Sequence, residues 1–285
     1  MAVTARVLDG KALAARIIED VGVQVAARVS AGKPRPSLAT VLIGDNPASG
    51  IYIRSKQKNA KQAGIETFDH RLPDTTTTEE LLKLVEQLNR NDEVSGVLIQ
   101  QPAPPHIDMT RVIHELDPVK DVDGFHPINA GLVALGLPGA VEPCTPAGIM
   151  KLLEDAGIEI SGSNAVVVGR SNLVGKPAAL MLLRRNATVT ICHTRTRDLA
   201  SHTRSADILV AAAGKVDLIT KEMVKPGAAV IDVSTNWVGG KQVGDLGEGV
   251  DEVAGWLTPN PGGVGPMTRA MLIKNTFQAE ARRRP

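Results

Sequence analysis

The sequence predicts an α/β protein built from two domains. Short apolar runs, which are typical of buried parallel strands, alternate with stretches of helical character along most of the 285 residues. An irregular segment rich in Pro, Asp and Gly, residues 118–139, interrupts this alternation, which then resumes. A chain of this length is long enough for two domains of ordinary size, and we place the boundary between them near residue 143.

The first series of elements predicts a small parallel sheet. Residues 38–44, 65–72 and 95–101 are predicted to be strands, with helices between them at residues 48–63 and 76–90. Thr77 and Glu80 have the spacing of a capping box, in which each side chain accepts a hydrogen bond from a free backbone N–H at the start of a helix.

The second series is more regular. Thr145 and Pro146 are suited to cap and begin a helix over residues 147–156. Strands are predicted at residues 165–169, 187–192, 207–213 and 229–233, with helices at 176–185 and 269–281. This pattern is typical of a doubly wound open sheet, which binds ligands beyond the carboxyl ends of its strands.

Composition excludes several classes of protein. The 32 basic and 31 acidic residues nearly cancel and aromatic residues make up 2% of the chain, which argues against a nucleic-acid partner. The two cysteines are too few for a disulfide framework. No apolar run approaches the ~20 residues of a membrane span, and Arg6, Asp9 and Lys11 make the N-terminus unlike a signal peptide. We therefore expect a cytoplasmic protein without a membrane partner, and a solvated tail at residues 282–285.

A turn bounded by glycines follows the predicted strand 165–169. Gly169 and Gly175 flank this turn, and a helix begins directly afterwards. Glycines let backbone approach a pyrophosphate, and the helix N-terminus offers free N–H groups and the positive end of a dipole. Because the two glycines are six residues apart, the usual dinucleotide spacing is missing, and a tight strand–helix turn without a ligand explains the pattern equally well.

The end of the next predicted strand bears on the kind of nucleotide. NAD-binding domains usually place a carboxylate there to hold the ribose hydroxyl, but here the first carboxylate is Asp198. Thr194, Arg195 and Arg170 are instead suited to hold a 2′-phosphate, which predicts a preference for NADP. A solvated, arginine-rich loop is the alternative interpretation.

Tyr52 and Lys56 are four residues apart on the predicted helix 48–63, so they share one helical face. A lysine serves as an acid or base near neutral pH where its surroundings favour the neutral amine. The pair is therefore a candidate catalytic site, and an ordinary amphipathic helix is the alternative. The same spacing marks short-chain dehydrogenases, but there the pair follows the glycine turn within one domain, whereas here it lies far upstream.

Two further segments are unusual. Asp121 and Asp123 lie in a predicted turn, but no other cluster of ligands accompanies them, so no metal site is predicted. Pro261 and Pro266 bracket three glycines before the last helix. This composition indicates either a linker or a shaped loop that closely approaches a ligand or another chain.

The motifs occur in an order that resembles a known enzyme family. They are Tyr52-x-x-x-Lys56, residues 96–102 (GVLIQQP), 120–124 (KDVDG), 143–146 (PCTP), the turn at 168–175, and residues 261–268 (PGGVGPMT). Together they resemble the bifunctional methylenetetrahydrofolate dehydrogenase/methenyltetrahydrofolate cyclohydrolase family. The resemblance extends from residues 8–11 to the last helix.

The resemblance implies two α/β domains around a cleft. The first is a folate-binding catalytic domain of residues 1–143 plus 266–285, and the second is a Rossmann-type NADP-binding domain of residues 144–265. The implied activity is oxidation of methylenetetrahydrofolate with NADP, followed by hydrolysis of methenyltetrahydrofolate to 10-formyltetrahydrofolate, in one-carbon metabolism and purine biosynthesis. A homodimer that binds tetrahydrofolate derivatives is expected.

The resemblance also implies residue roles. Lys56 is the catalytic lysine, Tyr52 positions it together with the folate, Gln100 hydrogen-bonds Lys56 or the reacting centre, and Asp123 holds the amino edge of the pterin. The folate site is implied to include Tyr52, Ile99, Gln100, Gln101, Asp123, Pro261, Gly262, Gly263, Val264 and Gly265. The cofactor site is implied to include Gly169, Arg170, Ser171, Thr194, Arg195 and Thr235.

Three positions depart from the family pattern. Ser234 stands where a glycine is usual near the nicotinamide, Gln101 where a leucine is usual beside the folate, and Leu246 where a valine is usual. The retained catalytic residues argue against the first alternative, a dehydrogenase that has lost the hydrolase. The second alternative, a nucleotide-binding module without catalysis, gives no reason for the arrangement of Tyr52, Lys56 and Asp123.

Overall fold

The computed structural model describes residues 5–285, so part of the N-terminal segment used above to argue against a signal peptide lies outside the described residues. The chain forms two compact units. The three-stranded unit comprises Ala15–Cys144 and Arg269–Pro285, and the six-stranded unit comprises residues 5–14 and Thr145–Thr268. No helix among the described residues is long and apolar enough to cross a membrane.

The secondary structure alternates between strands and helices. The strands are β1 (Arg6–Val7), β2 (Ser37–Ile43), β3 (Glu66–Leu72), β4 (Gly96–Ile99), β5 (Asn164–Val168), β6 (Thr188–Cys192), β7 (Ile208–Ala211), β8 (Ala229–Asp232), β9 (Asn236–Val238), β10 (Lys241–Val243) and β11 (Trp256–Leu257). The helices are α1 (Gly10–Ser30), α2 (Pro47–Gln62), α3 (Thr78–Arg90), α4 (Met109–Glu115), α5 (Pro127–Leu135), α6 (Cys144–Asp155), α7 (Gly175–Arg184), α8 (Leu199–Thr203), α9 (Val250–Val253) and α10 (Val264–Arg283), with a 3₁₀ turn at Lys221–Met223.

The small sheet has the order β3–β2–β4, with parallel pairing throughout. Every residue of the central strand β2 is buried, as expected for a strand with neighbours on both sides. The apolar face of α3, including Leu81 and Val85, packs in the same core as Val41 and Val97. The three predicted strands and the capping box of Thr77 and Glu80 are confirmed.

The larger sheet has the order β1–β11–β8–β7–β5–β6 and is also parallel throughout. After β5, the chain adds β6 on one side and β7, β8 and β11 on the other, so the predicted doubly wound sheet is confirmed. The edge strand β1, its neighbour β11 and the hairpin β9–β10 were not predicted. Arg6 of β1 lies over the ring of Trp256 in β11, 5.1 Å from its centroid, whereas Trp237 in the hairpin is 62% exposed.

Several local predictions were wrong. Helix α1 was missed, and α5 lies inside the segment predicted to be irregular. Thr145 is not a cap, because α6 already begins at Cys144, and its hydroxyl instead lies 2.9 Å from that of Thr268. Helix α10 begins at Val264, five residues earlier than predicted (269 − 264 = 5).

The C-terminal arginines do not form a solvated tail as a group, although Arg282 is exposed. Arg283 donates to the carbonyl of Val94 at 2.8 Å, and Arg284 pairs with Glu280 of α10. Glu280 is fully buried and also receives hydrogen bonds from Arg28 at 3.2 Å and Ser95 at 2.8 Å. A buried carboxylate needs such partners, because desolvation otherwise costs more than the fold can supply.

Lys120 is the buried anchor of the turn that follows α4. Only 1% of it is exposed, and its ammonium donates to the carbonyls of Leu88 (2.8 Å), Asn89 (2.7 Å) and Asn91 (2.8 Å) at the end of α3. These carbonyls belong to the group that a helix leaves without partners at its C-terminus. Burial lowers the pKa of Lys120 to about 8, so it is still mostly protonated at neutral pH.

We expect Lys120→Met to lower the free energy of unfolding by about 3 kcal/mol, because three carbonyls near the end of α3 lose their common donor. Chemical denaturation followed by circular dichroism measures this change. Lys83→Met is the matched control, because Lys83 lies on the exposed face of the same helix and should change stability by less than about 0.5 kcal/mol. Equal effects of the two substitutions would contradict the anchoring role.

Candidate active site

Lys56 and Gln100 meet in the three-stranded unit. Lys56 lies on α2, and its ammonium donates to the side-chain oxygen of Gln100 at 3.1 Å. Gln100 directly follows β4 and is 7% exposed; its backbone N–H donates to the carbonyl of Val41 at 2.9 Å, and its side-chain amide donates to the carbonyl of Gln101. The strand therefore fixes the amide, and the amide orients the amine.

Asp123 belongs to the same cluster. Burial raises the pKa of its carboxyl group; the positive charge of Lys56 opposes this shift, and the negative charge of Asp121 adds to it. Asp121 itself is held in place, because its carboxylate accepts hydrogen bonds from the backbone N–H groups of Gly124 (3.1 Å) and His126 (2.7 Å). The structure thus brings together three of the four predicted catalytic residues.

Cys144 is a neighbour of Asp123 that the sequence interpretation did not assign. Its thiol donates to the carbonyl of Val122 at 3.3 Å and lies close enough to Asp123 to interact with its carboxyl group. Burial, followed by the negative charge of Asp123, raises the pKa of this thiol well above its ordinary value. The only signal in the sequence was the position of Cys144 in the PCTP motif.

Tyr52 lies one turn before Lys56 on α2 and is 36% exposed. Its neighbour is Arg269 of α10, a second residue that the sequence interpretation missed. Burial lowers the pKa of this half-buried guanidinium, and the nearby phenol of Tyr52 opposes the shift. The guanidinium of Arg269 therefore lies close enough to Tyr52 to interact with it electrostatically.

Ile99 and Gln101 flank Gln100 at the end of β4. Both line a small cavity together with Asp121, Asp123 and Phe125. The peptide bond between Gln101 and Pro102 is cis. The polar side chain of Gln101 therefore lies at the same cavity as Asp123.

Residues 261–265 belong to the six-stranded unit. The peptide bond between Asn260 and Pro261 is cis, and the N–H of Gly263 donates to the carbonyl of Pro259 at 2.7 Å. Pro261 and Gly262 lie in this loop, whereas Val264 and Gly265, predicted as loop residues, form the first turn of α10. Their predicted contact with a ligand remains a prediction.

The six-stranded unit contains a cavity of about 500 Å³ beyond the carboxyl ends of β5, β6 and β7. A volume of this size is typical of small-molecule sites. Four of the predicted cofactor residues line it, namely Gly169, Arg170, Ser171 and Thr194. Arg195 and Thr235 are not among the lining residues that the structure describes, and both are exposed.

The glycine turn is both tightly packed and open to the cavity. A Cβ atom on Gly169 would lie 2.2 Å from the carbonyl oxygen of Ala212, and one on Gly175 would lie 2.2 Å from that of Gly169. Ser171 holds the start of α7, because its hydroxyl accepts hydrogen bonds from the N–H groups of Val174 (3.1 Å) and Gly175 (3.4 Å). The turn at residues 169–175 is therefore both a tight strand–helix turn and part of the cavity lining, so the two interpretations of its glycines are compatible.

The cavity lining favours an anionic ligand. Its charged residues are Arg170 and Lys215, both basic, and Lys215 was not predicted from the sequence. Asp198, the first carboxylate after β6, caps α8 by accepting from the N–H of Ser201 at 3.3 Å. Among residues 5–285, no group of three or more His, Cys, Asp or Glu residues could hold a metal ion.

Family models match both parts of the chain. The model of the tetrahydrofolate dehydrogenase/cyclohydrolase catalytic domain matches residues 8–123, and that of the NAD(P)-binding domain of the same family matches residues 143–284.

Individual relatives agree with this match. The chain is 54% identical to the bifunctional protein FolD of Moorella thermoacetica over 280 residues, which cover 98% of this chain and 99% of the relative. The crystal structure of the bifunctional enzyme FolD from Campylobacter jejuni superposes with a TM-score of 0.96 at 46% identity, covering 98% of this chain and 99% of that one. The structure from Trypanosoma brucei, complexed with NADP cofactor and inhibitor, has a TM-score of 0.93 at 38% identity, covering 98% of each chain. This chain belongs to the tetrahydrofolate dehydrogenase/cyclohydrolase family.

Proposed function

We propose that the protein oxidises methylenetetrahydrofolate to methenyltetrahydrofolate with NADP and then hydrolyses the product to 10-formyltetrahydrofolate. The observation that carries this proposal is the cluster of Lys56, Gln100 and Asp123 in the three-stranded unit. It supplies an amine, an amide and a carboxylate, which are groups that can move a proton and hold a pterin.

The second cavity supports the dehydrogenase half of the proposal. Its lining of Gly169, Ser171 and the basic residues Arg170 and Lys215 fits a phosphate-bearing nucleotide, since glycine lets backbone come close to phosphate and cations balance its charge. These residues would hold NADP, which would supply the acceptor for the hydride that the folate loses. Arg170, with Thr194 and Arg195, would hold the 2′-phosphate that distinguishes NADP from NAD.

Each residue of the catalytic cluster has a separate proposed role. Gln100 orients the amine of Lys56 through the 3.1 Å hydrogen bond. Lys56 accepts the proton that the water loses as its oxygen adds to the methenyl carbon, which is the step that makes hydrolysis possible. Asp123 accepts hydrogen bonds from the amino edge of the pterin, and Tyr52 positions the folate beside Lys56.

The two proposed binding sites belong to different units of the chain. We propose that the three-stranded unit is the folate-binding catalytic domain and that the six-stranded unit, which also contains residues 5–14 and 266–268, is the NADP-binding domain. Ile99 and Gln101 would complete the folate site, and Thr235 would contact the cofactor. We further propose a cytoplasmic homodimer whose product serves purine biosynthesis; light scattering of the purified protein would measure its mass in solution.

One assay tests the proposed function against its alternatives. The protein is mixed with methylenetetrahydrofolate and NADP, and the absorbances of NADPH and of the methenyl product are followed separately. We expect NADPH to form without lasting accumulation of methenyltetrahydrofolate. Accumulation of the methenyl product would indicate a dehydrogenase without hydrolase activity, and NADP binding without turnover would indicate a nucleotide-binding module.

We expect Lys56→Met to reduce the cyclohydrolase rate by about a thousandfold, because the amine that moves the proton is lost, while NADP affinity stays unchanged. Hydrolysis of methenyltetrahydrofolate in the absence of NADP measures the first quantity, and calorimetric titration measures the second. Lys61→Met, an exposed lysine on the same helix, is the control and should retain both properties. An intact hydrolysis rate in the Lys56 variant would rule out the proposed role.

Asp123 should make folate binding depend on pH. Because burial raises its pKa, the carboxyl group takes up a proton closer to neutrality than an ordinary aspartate, and the protonated form accepts hydrogen bonds more weakly. The KM for the folate should therefore rise as pH falls below neutrality. Asp123→Asn should raise the KM by about tenfold and remove this dependence.

The control for Asp123 is Asp20→Asn, because Asp20 is an exposed carboxylate of α1. It should leave the pH profile of the KM unchanged. A profile that persists in Asp123→Asn would assign the dependence to another group.

A further inference from the structure

A fully buried carboxylate, Asp245, lies behind the wall of the nucleotide-sized cavity. It follows β10 and is 0% exposed. Three consecutive backbone N–H groups point at it: those of Ala213 (2.7 Å) and Gly214 (3.1 Å) reach Oδ2, and that of Lys215 (2.8 Å) reaches Oδ1. A concave run of backbone N–H groups is an arrangement that binds an anion, and here the anion is a side chain of the same unit.

The segment held in this way forms part of the cavity. Residues 213–215 follow β7, and both Ala213 and Lys215 line the cavity on which Gly169 and Arg170 also lie. These residues leave the sheet, so the ladder of strand hydrogen bonds no longer fixes their N–H groups. Asp245 therefore sets the position of this wall from the side that faces away from the ligand.

Ser234 closes the arrangement. Its hydroxyl donates to Oδ2 of Asp245 at 2.7 Å and accepts from the N–H of Gly214 at 3.0 Å, so it bridges the carboxylate and the wall. Asn236 adds a weaker hydrogen bond to Oδ1 at 3.3 Å. The serine that departs from the family pattern at position 234 therefore has a structural role, because its hydroxyl joins Asp245 to Gly214. We call Asp245 and Ser234, with the three N–H groups they hold, the Asp245 clamp.

The chemistry of the clamp requires an anion at position 245. All five groups that reach its oxygens are donors, and a carboxylate is the side chain that only accepts. The neighbouring buried carboxylate, Asp232, receives fewer donors, among them the N–H of Asp245 at 3.0 Å, and burial raises its pKa to about 6. An asparagine at position 245 would turn an NH₂ group towards at least one donor and leave it unsatisfied.

We propose that Asp245 and Ser234 are positioning residues for the dinucleotide, and that they act by holding residues 213–215 in the conformation that receives it. This proposal rests on the proposed function only for the identity of the ligand, NADP. Neither side chain is among the residues that line the cavity. Their effect on the ligand passes through the backbone of the wall.

The test compares two variants of the full-length protein with matched controls. Asp245→Asn should weaken NADP binding by about thirtyfold, and Ser234→Ala, which keeps the carboxylate and loses the bridge, by about fivefold. Asp251→Asn and Ser161→Ala change exposed residues of the same unit and should leave the affinity unchanged. The dissociation constant of NADP is measured by calorimetric titration.

Cyclohydrolase activity distinguishes a specific effect on NADP binding from a general loss of the folded structure. Hydrolysis of methenyltetrahydrofolate consumes no NADP, so both variants should retain its rate and its KM for the folate, while the KM for NADP rises in the dehydrogenase reaction. An unchanged dissociation constant for NADP in Ser234→Ala would overturn the proposal. So would a loss of hydrolysis that parallels the loss of NADP binding, because the clamp would then be a general support of the fold.

Two outcomes keep this proposal distinct from the proposed function. If the unaltered protein turns over no folate but binds NADP more tightly than both variants, the proposed function fails and the clamp stands. If Asp245→Asn does not fold, Ser234→Ala alone decides, because it removes a single half-buried hydroxyl.

Discussion

Parallel strand pairing is the constraint on which both candidate sites depend. Because β4 runs parallel to β2, Gln100 leaves the small sheet at the carboxyl edge, on the side where Lys56 of α2 reaches it. In the larger sheet, the register aligns Val168 with Cys192 and with Ala211, so the turns after β5, β6 and β7 begin side by side. Three separate segments of the chain thereby enclose one cavity.

Buried charges fix the backbone where the sheets no longer do. In the three-stranded unit, the ammonium of Lys120 donates hydrogen bonds to three carbonyls near the end of α3 and thereby holds the turn that carries Asp123. In the six-stranded unit, the carboxylate of Asp245 accepts hydrogen bonds from three backbone N–H groups beside the cavity. Lys120 and Asp245 have opposite charges but the same structural role. Each supplies hydrogen-bond partners to backbone groups that lie outside regular secondary structure and would otherwise lack them.

Sequence patterns predicted the central strands, because an apolar run is a local property of the chain. Lys56, Gln100 and Asp123 were named by the family resemblance of the motifs, and the structure places these three residues close together. Sequence patterns did not predict β1 and β11, since two-residue strands carry no periodicity. The start of α10 was missed because Pro266 was assigned to a loop before the helix, although a proline is tolerated in the first turn of a helix. The backbone partners of Asp245 in residues 213–215 lie 30 to 32 residues away in sequence, so only the topology brings them together.

The placement of the two tryptophans has a consequence for spectroscopy. Trp237 and Trp256 are the only tryptophans of the chain, and both lie in the six-stranded unit, one exposed and one beneath the guanidinium of Arg6. Indole fluorescence therefore reports on that unit alone, whereas far-ultraviolet circular dichroism reports on the helices of both. Coincident denaturation curves from the two signals would mean that the units unfold as one cooperative block, and separated curves would give each unit a stability of its own.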